Sequence, residues 1–255
     1  MWRGLRVAVL LAVLVVVAGG AWVDRRRTTD WDSTLWIGIF PIAADARAVT
    51  REHVAGLRPG TFTDIERFFE REARAHGVTL ARPIKVELNP PLAEAPPRLD
   101  PDAGVAGRIL WSLRMRAYAW RQARGSLADI SMFVLYHDPT LTPAVPHSLG
   151  LQKGLLGVVY AFADPEMDGS NAVVIAHEAM HALGATDKYD PASGLPRFPD
   201  GYADPDAEPR HPQQDAEIMG GRIALAPDEA EVPESLDDVV VGALTAAEIN
   251  WPGRR

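Results

Sequence analysis

Two histidines four positions apart, with a glutamate between them, carry most of the chemical information in this chain: His177, Glu178 and His181. On an α-helix, residues four apart lie on one face, so both imidazoles can reach a single metal ion. Glu178 directly follows the first histidine, where a general base for a metal-activated water belongs. Asp187 then offers an oxygen as a third ligand. Three protein ligands leave the fourth position of a zinc ion open, which is the arrangement of a catalytic site.

The residues around this motif favour a buried helix. The apolar residues 173–176 precede it, and Ser170 or Asn171 is a candidate N-cap. Gly184 lies three residues after His181 and predicts a left-handed C-cap that ends the helix. Ordinary polar contacts of the histidines are the alternative interpretation. An apolar helix with two histidines and a glutamate would bury groups that need partners, however, and a metal ion satisfies both imidazoles together.

The complete pattern, H-E-x-x-H-x-x-G-x-x-D, resembles the zinc signature of the metzincin metallopeptidases, in the form with Asp that is typical of the snapalysin-like branch. The resemblance implies zinc bound by His177, His181 and Asp187, with Glu178 as the general base of an endopeptidase that acts on peptides or proteins. It covers residues 155–221 through motifs, and residues 35–163 only through the order of elements.

Metzincins also have a tight turn with a methionine beneath the metal, and Met219 in the sequence Glu-Ile-Met-Gly-Gly is the candidate here. Two features depart from the family pattern. Gly221 stands where some metzincins have a tyrosine that binds the metal or stabilises the oxyanion. The chain has no cysteine, which excludes disulfides and latency through a thiolate on the zinc.

Other residues compete for the third ligand position. Asp190 is the closest competitor of Asp187, followed by Glu208, His211 and Glu217. If a downstream glutamate completes the site, as in gluzincins, Glu217 or Glu208 is the ligand. A third hypothesis is a membrane-tethered binding or assembly module with a non-catalytic zinc site, although the intact Glu178 counts against it.

The long proline-rich loop after Asp187 contains further candidates. Tyr189 and Tyr202 can stabilise a developing oxyanion, although packed loop tyrosines are more frequent. Carboxylates at Asp200, Asp204 and Asp206 are candidates for a structural calcium ion. Their spacing lacks the glycine and the terminal glutamate of a known calcium loop, which favours a solvated acidic turn.

The N-terminal segment is predicted to lie outside the folded domain. Residues 5–23 form a near-continuous apolar run, so residues 1–23 are a signal peptide or a membrane anchor. Residues 24–34 are predicted to be a linker and residues 35–255 the peptidase domain. We expect that domain outside the cytoplasm, secreted or anchored by residues 5–23, although the flanking arginines do not decide its orientation. The net charge of −8 argues against a nucleic-acid surface.

The order of elements and the family resemblance together imply an α+β fold of the zincin or metzincin type. We expect a mixed twisted sheet with an antiparallel edge strand, an active-site helix and a C-terminal helix. Strands are predicted at residues 35–42, 83–88, 129–136 and 155–162, with a loop over 137–154. In the family a peptide lies along the edge strand, and Gly154 and Gly157 would let its backbone approach.

Three helices are predicted besides the motif helix. One begins at Thr63 with Glu66 as its capping-box partner, and the last begins at Thr245 with Glu248 in the same role. The third covers residues 105–124, and its apolar residues share one side: Val105, Ile109, Leu113, Ala117 and Trp120. The same helix carries five arginines, at positions 108, 114, 116, 121 and 124. Contact with anionic lipid is one interpretation, but arginines whose stems cover an ordinary helix surface are favoured.

Overall fold

One mixed five-stranded sheet forms the centre of the molecule. The computed structural model describes residues 29–100, 102–141, 149–151 and 155–253. The strand order is β2-β1-β3-β5-β4, and β4 alone in this sheet runs antiparallel to its neighbour. The strands are β1 Leu35–Ala43, β2 Ile84–Leu88, β3 Ile130–His137, β4 Leu149–Leu151 and β5 Leu156–Phe162. The predicted mixed sheet with an antiparallel edge is therefore confirmed, although β4 lies within the stretch predicted as loop.

Helices cover both faces of the sheet, which is why its inner strands β1, β3 and β5 are almost continuously apolar. One face packs against α1 Ala48–Gly56, α2 Thr63–Ala75 and α4 Asp168–Leu183 through a large core that includes Ile37, Ile39 and Val134. The other face packs against α3 Val105–Gln122 through a smaller core. The chain ends with α5 Ala243–Glu248 and four short strands: β6 Ala216–Glu217, β7 Ile223–Ala226, β8 Glu229–Glu231 and β9 Val239–Val240.

Both predicted capping boxes are wrong. Thr63 is the first residue of α2 and Phe62 occupies the N-cap position, without a side-chain hydrogen bond. Glu66 instead accepts a hydrogen bond from the backbone N–H of Val86, at 2.7 Å, and so joins α2 to β2. Thr245 lies inside α5, where its hydroxyl donates to Glu217. These polar side chains bind distant partners that local spacing cannot reveal.

The apolar side predicted for residues 105–124 is the exposed side of α3. An apolar side usually faces the core, but the residues of α3 that are buried are Trp111, Met115 and Tyr118. They pack against Phe133 and its neighbours on the sheet. Both sides of α3 carry large apolar residues, so helical periodicity alone could not select the side that meets the sheet.

The start of the described chain packs onto the domain. Trp31, within the predicted linker, is buried, donates to the carbonyl of Ile249 at 2.8 Å and contacts the ring of Trp251 edge-on. The predicted signal peptide or anchor lies outside the described residues, as does Gly154. Among the described residues, no helix has the length and apolar character that crossing a bilayer requires.

Candidate metal centre

Helix α4 is the scaffold of the site. It begins at Asp168, so Ser170 and Asn171 lie inside its first turn and neither caps it as predicted. The Asn171 side chain accepts from the N–H of Phe162 and donates to its carbonyl, both at 2.9 Å, which joins α4 to β5. Gly184 ends the helix with φ 116°, a conformation that confirms the predicted left-handed C-cap.

The structure brings His177, His181 and Asp187 together. Asp187 Oδ1 lies 3.2 Å from His177 Nε2 and 3.0 Å from His181 Nε2. Ligand atoms on a tetrahedral zinc ion are separated by about 3.3 Å, given metal–ligand distances of about 2.0 Å. The two imidazole nitrogens and the carboxylate oxygen therefore have the chemistry to hold a metal ion, and Asp187 has the spacing from each histidine that such a site needs.

Glu178 lies beside these three residues and is buried. One carboxylate oxygen of Glu178 and one ring nitrogen of each histidine lie within 4.8 Å of one another. Asp187 Oδ1 is within 3.2 Å of both Nε2 atoms, so Asp187 and Glu178 each offer a carboxylate oxygen beside the two imidazoles.

Two backbone carbonyls orient the imidazoles. His177 Nδ1 lies 2.8 Å from the carbonyl oxygen of Ile218, and His181 Nδ1 lies 2.9 Å from that of Ala185. A carbonyl only accepts hydrogen bonds, so each Nδ1 carries the proton and each Nε2 of a neutral ring presents a lone pair. Metal-binding histidines usually have such an outer partner. Sequence reasoning missed both carbonyls, because a backbone acceptor leaves no signature in residue types.

The predicted methionine turn is present, and Glu217 holds it. Residues 218–220 form the turn, and Met219 is fully buried. Glu217 Oε2 accepts from the N–H groups of Met219 and Gly220, at 2.7 and 2.8 Å. Its Oε1 accepts from Thr245 Oγ1 at 2.6 Å and from Gly242 N at 3.1 Å. Glu217 therefore fixes the segment whose Ile218 carbonyl orients His177. With four donors on its two oxygens, it is not placed to act as the gluzincin-type ligand.

A second hydrogen-bond network fixes the loop that carries Asp187. Glu248 accepts from Thr186 N and Oγ1 at 3.0 and 2.6 Å, and from Lys188 Nζ at 2.8 Å. The backbone N–H of Lys188 also donates to the Met219 carbonyl at 2.8 Å. Both neighbours of Asp187 are thereby tied to the C-terminal part of the domain, which positions the carboxylate between them.

The electrostatics of the site favour positive charge. Burial tends to raise the pKa of Asp187, but hydrogen bonds with His177 and His181 outweigh it and hold the pKa well below its usual range. Burial tends to lower the pKa of His181, but Asp187 and Glu178 raise it overall. The carboxylates of Asp187 and Glu178 favour the protonated form of His181, and a bound cation would interact with the same two carboxylates.

Tyr189 completes the near surroundings of the ligands. Its ring centroid lies 6.3 Å from that of His177, and burial together with Asp187 and Glu178 raises its pKa. The phenol therefore stays protonated at neutral pH and can donate a hydrogen bond. Tyr202 is directed elsewhere, since its hydroxyl lies 3.1 Å from His211 Nε2.

The remaining candidates are not brought to the site. Asp190 Oδ1 accepts from the N–H groups of Ala192 and Ser193, which is a local turn, and Glu208 is exposed. Across the described residues, no group of three or more potential ligands lies away from His177 and His181. The three aspartates considered for calcium, Asp200, Asp204 and Asp206, therefore do not form a metal cluster.

Gly157 has a role in the packing of the sheet. A Cβ at this position would lie 2.5 Å from Met132 Sδ, within the packing of β5 on β3. Because glycine has no side chain, the Met132 side chain can pack directly against the backbone of β5 at this position.

Comparisons with known proteins give limited information. No family model matches the chain, and no match is found among curated proteins. Two crystal structures of OgpA from Akkermansia muciniphila are similar to this chain at 10% sequence identity, with TM-scores of 0.37 and 0.38. Each alignment covers 84% of this chain and 59% of that one, so this chain spans about three-fifths of the length of OgpA. We draw nothing about function from a similarity this weak.

Proposed function

We propose that this protein is a zinc-dependent endopeptidase of the metzincin type. The observation that supports this most directly is the position of Asp187 Oδ1, which lies 3.2 Å from His177 Nε2 and 3.0 Å from His181 Nε2. The carbonyls behind both rings direct the lone pairs into the same space. Two imidazoles and one carboxylate suit zinc better than calcium or magnesium, which prefer oxygen ligands alone.

The chemistry follows from the residues around that space. When bound, a zinc ion would act as a Lewis acid on the peptide carbonyl and would lower the pKa of a water. Glu178 accepts the proton of the attacking water and then delivers it to the leaving amine nitrogen, as a general base and then a general acid. The protonated Tyr189 is a candidate donor to the oxyanion. It would take the role of the tyrosine that some metzincins have at the position of Gly221.

We propose peptides or proteins in extended conformation as substrates. Edge strand β4 lies against α4 and pairs with β5. An extended peptide can add to such an edge through backbone hydrogen bonds, which give affinity without a demand for one sequence. We also propose that the enzyme works outside the cytoplasm, because residues 5–23 have the composition of a signal peptide or an anchor.

The test separates metal binding from turnover. Glu178→Ala should retain stoichiometric zinc and lose about 10²–10⁴-fold in peptide hydrolysis, which is the usual contribution of general acid–base catalysis. His181→Ala should lose both zinc and activity. His211→Ala is the matched control, since this histidine contacts Tyr202 outside the site, and it should change neither. Elemental analysis and a peptide-library assay, with and without chelator, measure these outcomes.

Two results would contradict the proposal. Unchanged hydrolysis in Glu178→Ala removes the mechanism, and stoichiometric zinc in His181→Ala removes the ligand assignment. A folded wild-type protein that holds zinc but cleaves no member of the library would favour the non-catalytic binding module.

A further inference from the structure

Helix α3 carries a row of large apolar side chains that face away from the sheet. We call Val105, Ile109, Leu113 and Trp120 the outer ridge; their relative exposures are 77, 58, 59 and 68%. Leu110 and Leu127 are also exposed and extend this apolar surface. Isolated exposed apolar residues are common on protein surfaces. Several on one side of one helix form a patch, and such patches mark interaction sites.

The outer ridge is not needed for the packing of the domain. The opposite side of α3 already covers the sheet through Trp111, Met115 and Tyr118. The arginine stems do not cover the ridge either, because its four members remain more than half exposed. The interpretation of α3 as an ordinary helix surface, which the sequence favoured, therefore does not account for the ridge.

The charge of this region has one sign. Residues 103–128 contain five arginines and no aspartate or glutamate, whereas the whole chain has a net charge of −8. Arg114 and Arg116 occupy exposed positions of α3, and Arg124 is exposed two residues beyond its end. The Arg124 guanidinium lies over the indole of Trp120, with Cζ 3.8 Å from the ring centroid. Arg121 reaches the carboxylate of Glu94 at 2.8 Å and is partly neutralised.

We propose that α3 is a docking surface for an anionic lipid membrane. The outer ridge would enter the boundary between headgroups and acyl chains, and the surrounding arginines would contact lipid phosphates. Tryptophan and arginine side chains suit this interface, since each has an apolar body and a polar end.

The charge of the ridge favours an anionic membrane over two other occupants, the N-terminal segment of the chain and a second copy of α3. Residues 1–23 contain Arg3 and Arg6 and no acidic residue, and residues 25–27 are three further arginines. Like charges would repel that segment, and a second copy of α3, from the ridge. An anionic bilayer is complementary to both its apolar and its basic parts.

Docking through α3 would orient the metal centre. α3 and α4 pack on opposite faces of the sheet, so a membrane on the outer side of α3 leaves α4 on the face of the sheet turned away from the lipid. The site would then meet substrates in the aqueous phase. This inference does not depend on the proposed hydrolysis.

The absence of cysteine allows a direct test on the full chain. Leu113→Cys, labelled with an environment-sensitive fluorophore, is compared with Val232→Cys, which is 49% exposed and lies outside α3. Both proteins are reconstituted into vesicles of phosphatidylcholine alone or with phosphatidylserine. The emission at position 113 should shift to the blue, and iodide quenching should fall, only with phosphatidylserine; position 232 should stay unchanged.

Charge reversal supplies the second arm. Arg114→Glu/Arg124→Glu in the Leu113→Cys background should abolish the lipid-dependent shift, because each arginine near an anionic surface contributes roughly a five-fold gain in binding. Arg67→Glu/Arg74→Glu, at exposed positions of α2, is the matched control and should retain the shift.

Three outcomes would overturn the proposal. A label at position 113 that iodide quenches as strongly with both vesicle types as without vesicles shows that lipid does not cover the ridge. A label already protected without vesicles, or equally protected in neutral ones, shows that protein or non-specific lipid contact covers it. A shift that survives charge reversal removes the role of the arginines.

Discussion

Helices α4 and α3 lie on opposite faces of one sheet and differ in how much of their surface is exposed to solvent. α4 packs against β5 and β4, against α2 and against residues 236–238, so most of its side chains are buried. α3 packs on the sheet along one side only, and its other side is exposed. Both helices are rich in apolar residues, so composition does not distinguish a helix enclosed by protein from one with an open apolar side.

The polar residues of the two helices differ accordingly. In α4 they are few, and His177, His181 and Asn171 are each held by defined partners. In α3 the arginines stand at exposed positions and make contacts at the surface. Buried polar groups need partners, so an enclosed helix with histidines indicates a built site. An exposed basic helix indicates a surface for another molecule.

The two tryptophans of α3 give the sharpest test of which side is buried. Trp111 is buried and donates from Nε1 to the Pro97 carbonyl at 2.8 Å, whereas Trp120 is exposed. Trp111→Ala should lower the free energy of unfolding by about 3–5 kcal/mol. Trp120→Ala should change it by about 0.5 kcal/mol or less. Urea denaturation measures both, and equal losses would contradict the orientation of α3.

An isoleucine on each helix extends the comparison across the sheet. Ile175 of α4 is 1% exposed and Ile109 of α3 is 58% exposed. Ile175→Ala should cost about 2–5 kcal/mol of unfolding free energy, through lost burial and the cavity left behind. Ile109→Ala should be nearly neutral. A large loss in Ile109→Ala would show that protein covers the outer ridge.

Glu217→Gln tests whether the turn at residues 218–220 orients His177 of α4. The substitution replaces an acceptor oxygen by an NH₂ group that faces N–H or O–H donors, and the turn beneath His177 should shift. Loss of such outer support usually lowers metal affinity about 10–100-fold. Zinc titration against a competing chelator measures the change. Glu231→Gln, at an exposed position of β8, is the control, and equal affinities in the two variants would show that the turn does not orient His177.

The smallest expected effect is a pH dependence from Glu248. Burial tends to raise its pKa, but hydrogen bonds with Lys188 and Thr186 outweigh it and lower the pKa below 4.5. A carboxylate with a lowered folded pKa stabilises the fold above its unfolded pKa, and this contribution is lost as the pH falls through the folded value. The wild type should therefore lose more stability than Glu248→Gln below about pH 4.5. Thermal unfolding between pH 6 and pH 3 checks this, and parallel curves would contradict it.

The sequence determined the helix of the site and most of the sheet. The spacing of His177 and His181 is meaningful in any helix, because four residues nearly complete one turn. Gly184 ends that helix because it adopts a backbone conformation unfavourable for other residues. The strands at residues 35–42, 83–88, 129–136 and 155–162 are predicted within one or two residues at either end. Apolar runs mark the three strands that are buried on both faces, and alternation of apolar and polar residues marks the strand at 83–88.

Only the tertiary structure decided which partners the polar residues found and which side of α3 was buried. Glu66, Glu217 and Glu248 bind groups 20 to 62 positions away along the chain. Local spacing assigned Glu66 and Glu248 to caps, and it left Glu217 open as a ligand. The side of α3 that meets the sheet is the one that packs against Phe133 and its neighbours. A sequence pattern records the period of an element, whereas contacts between distant segments depend on how those elements pack together.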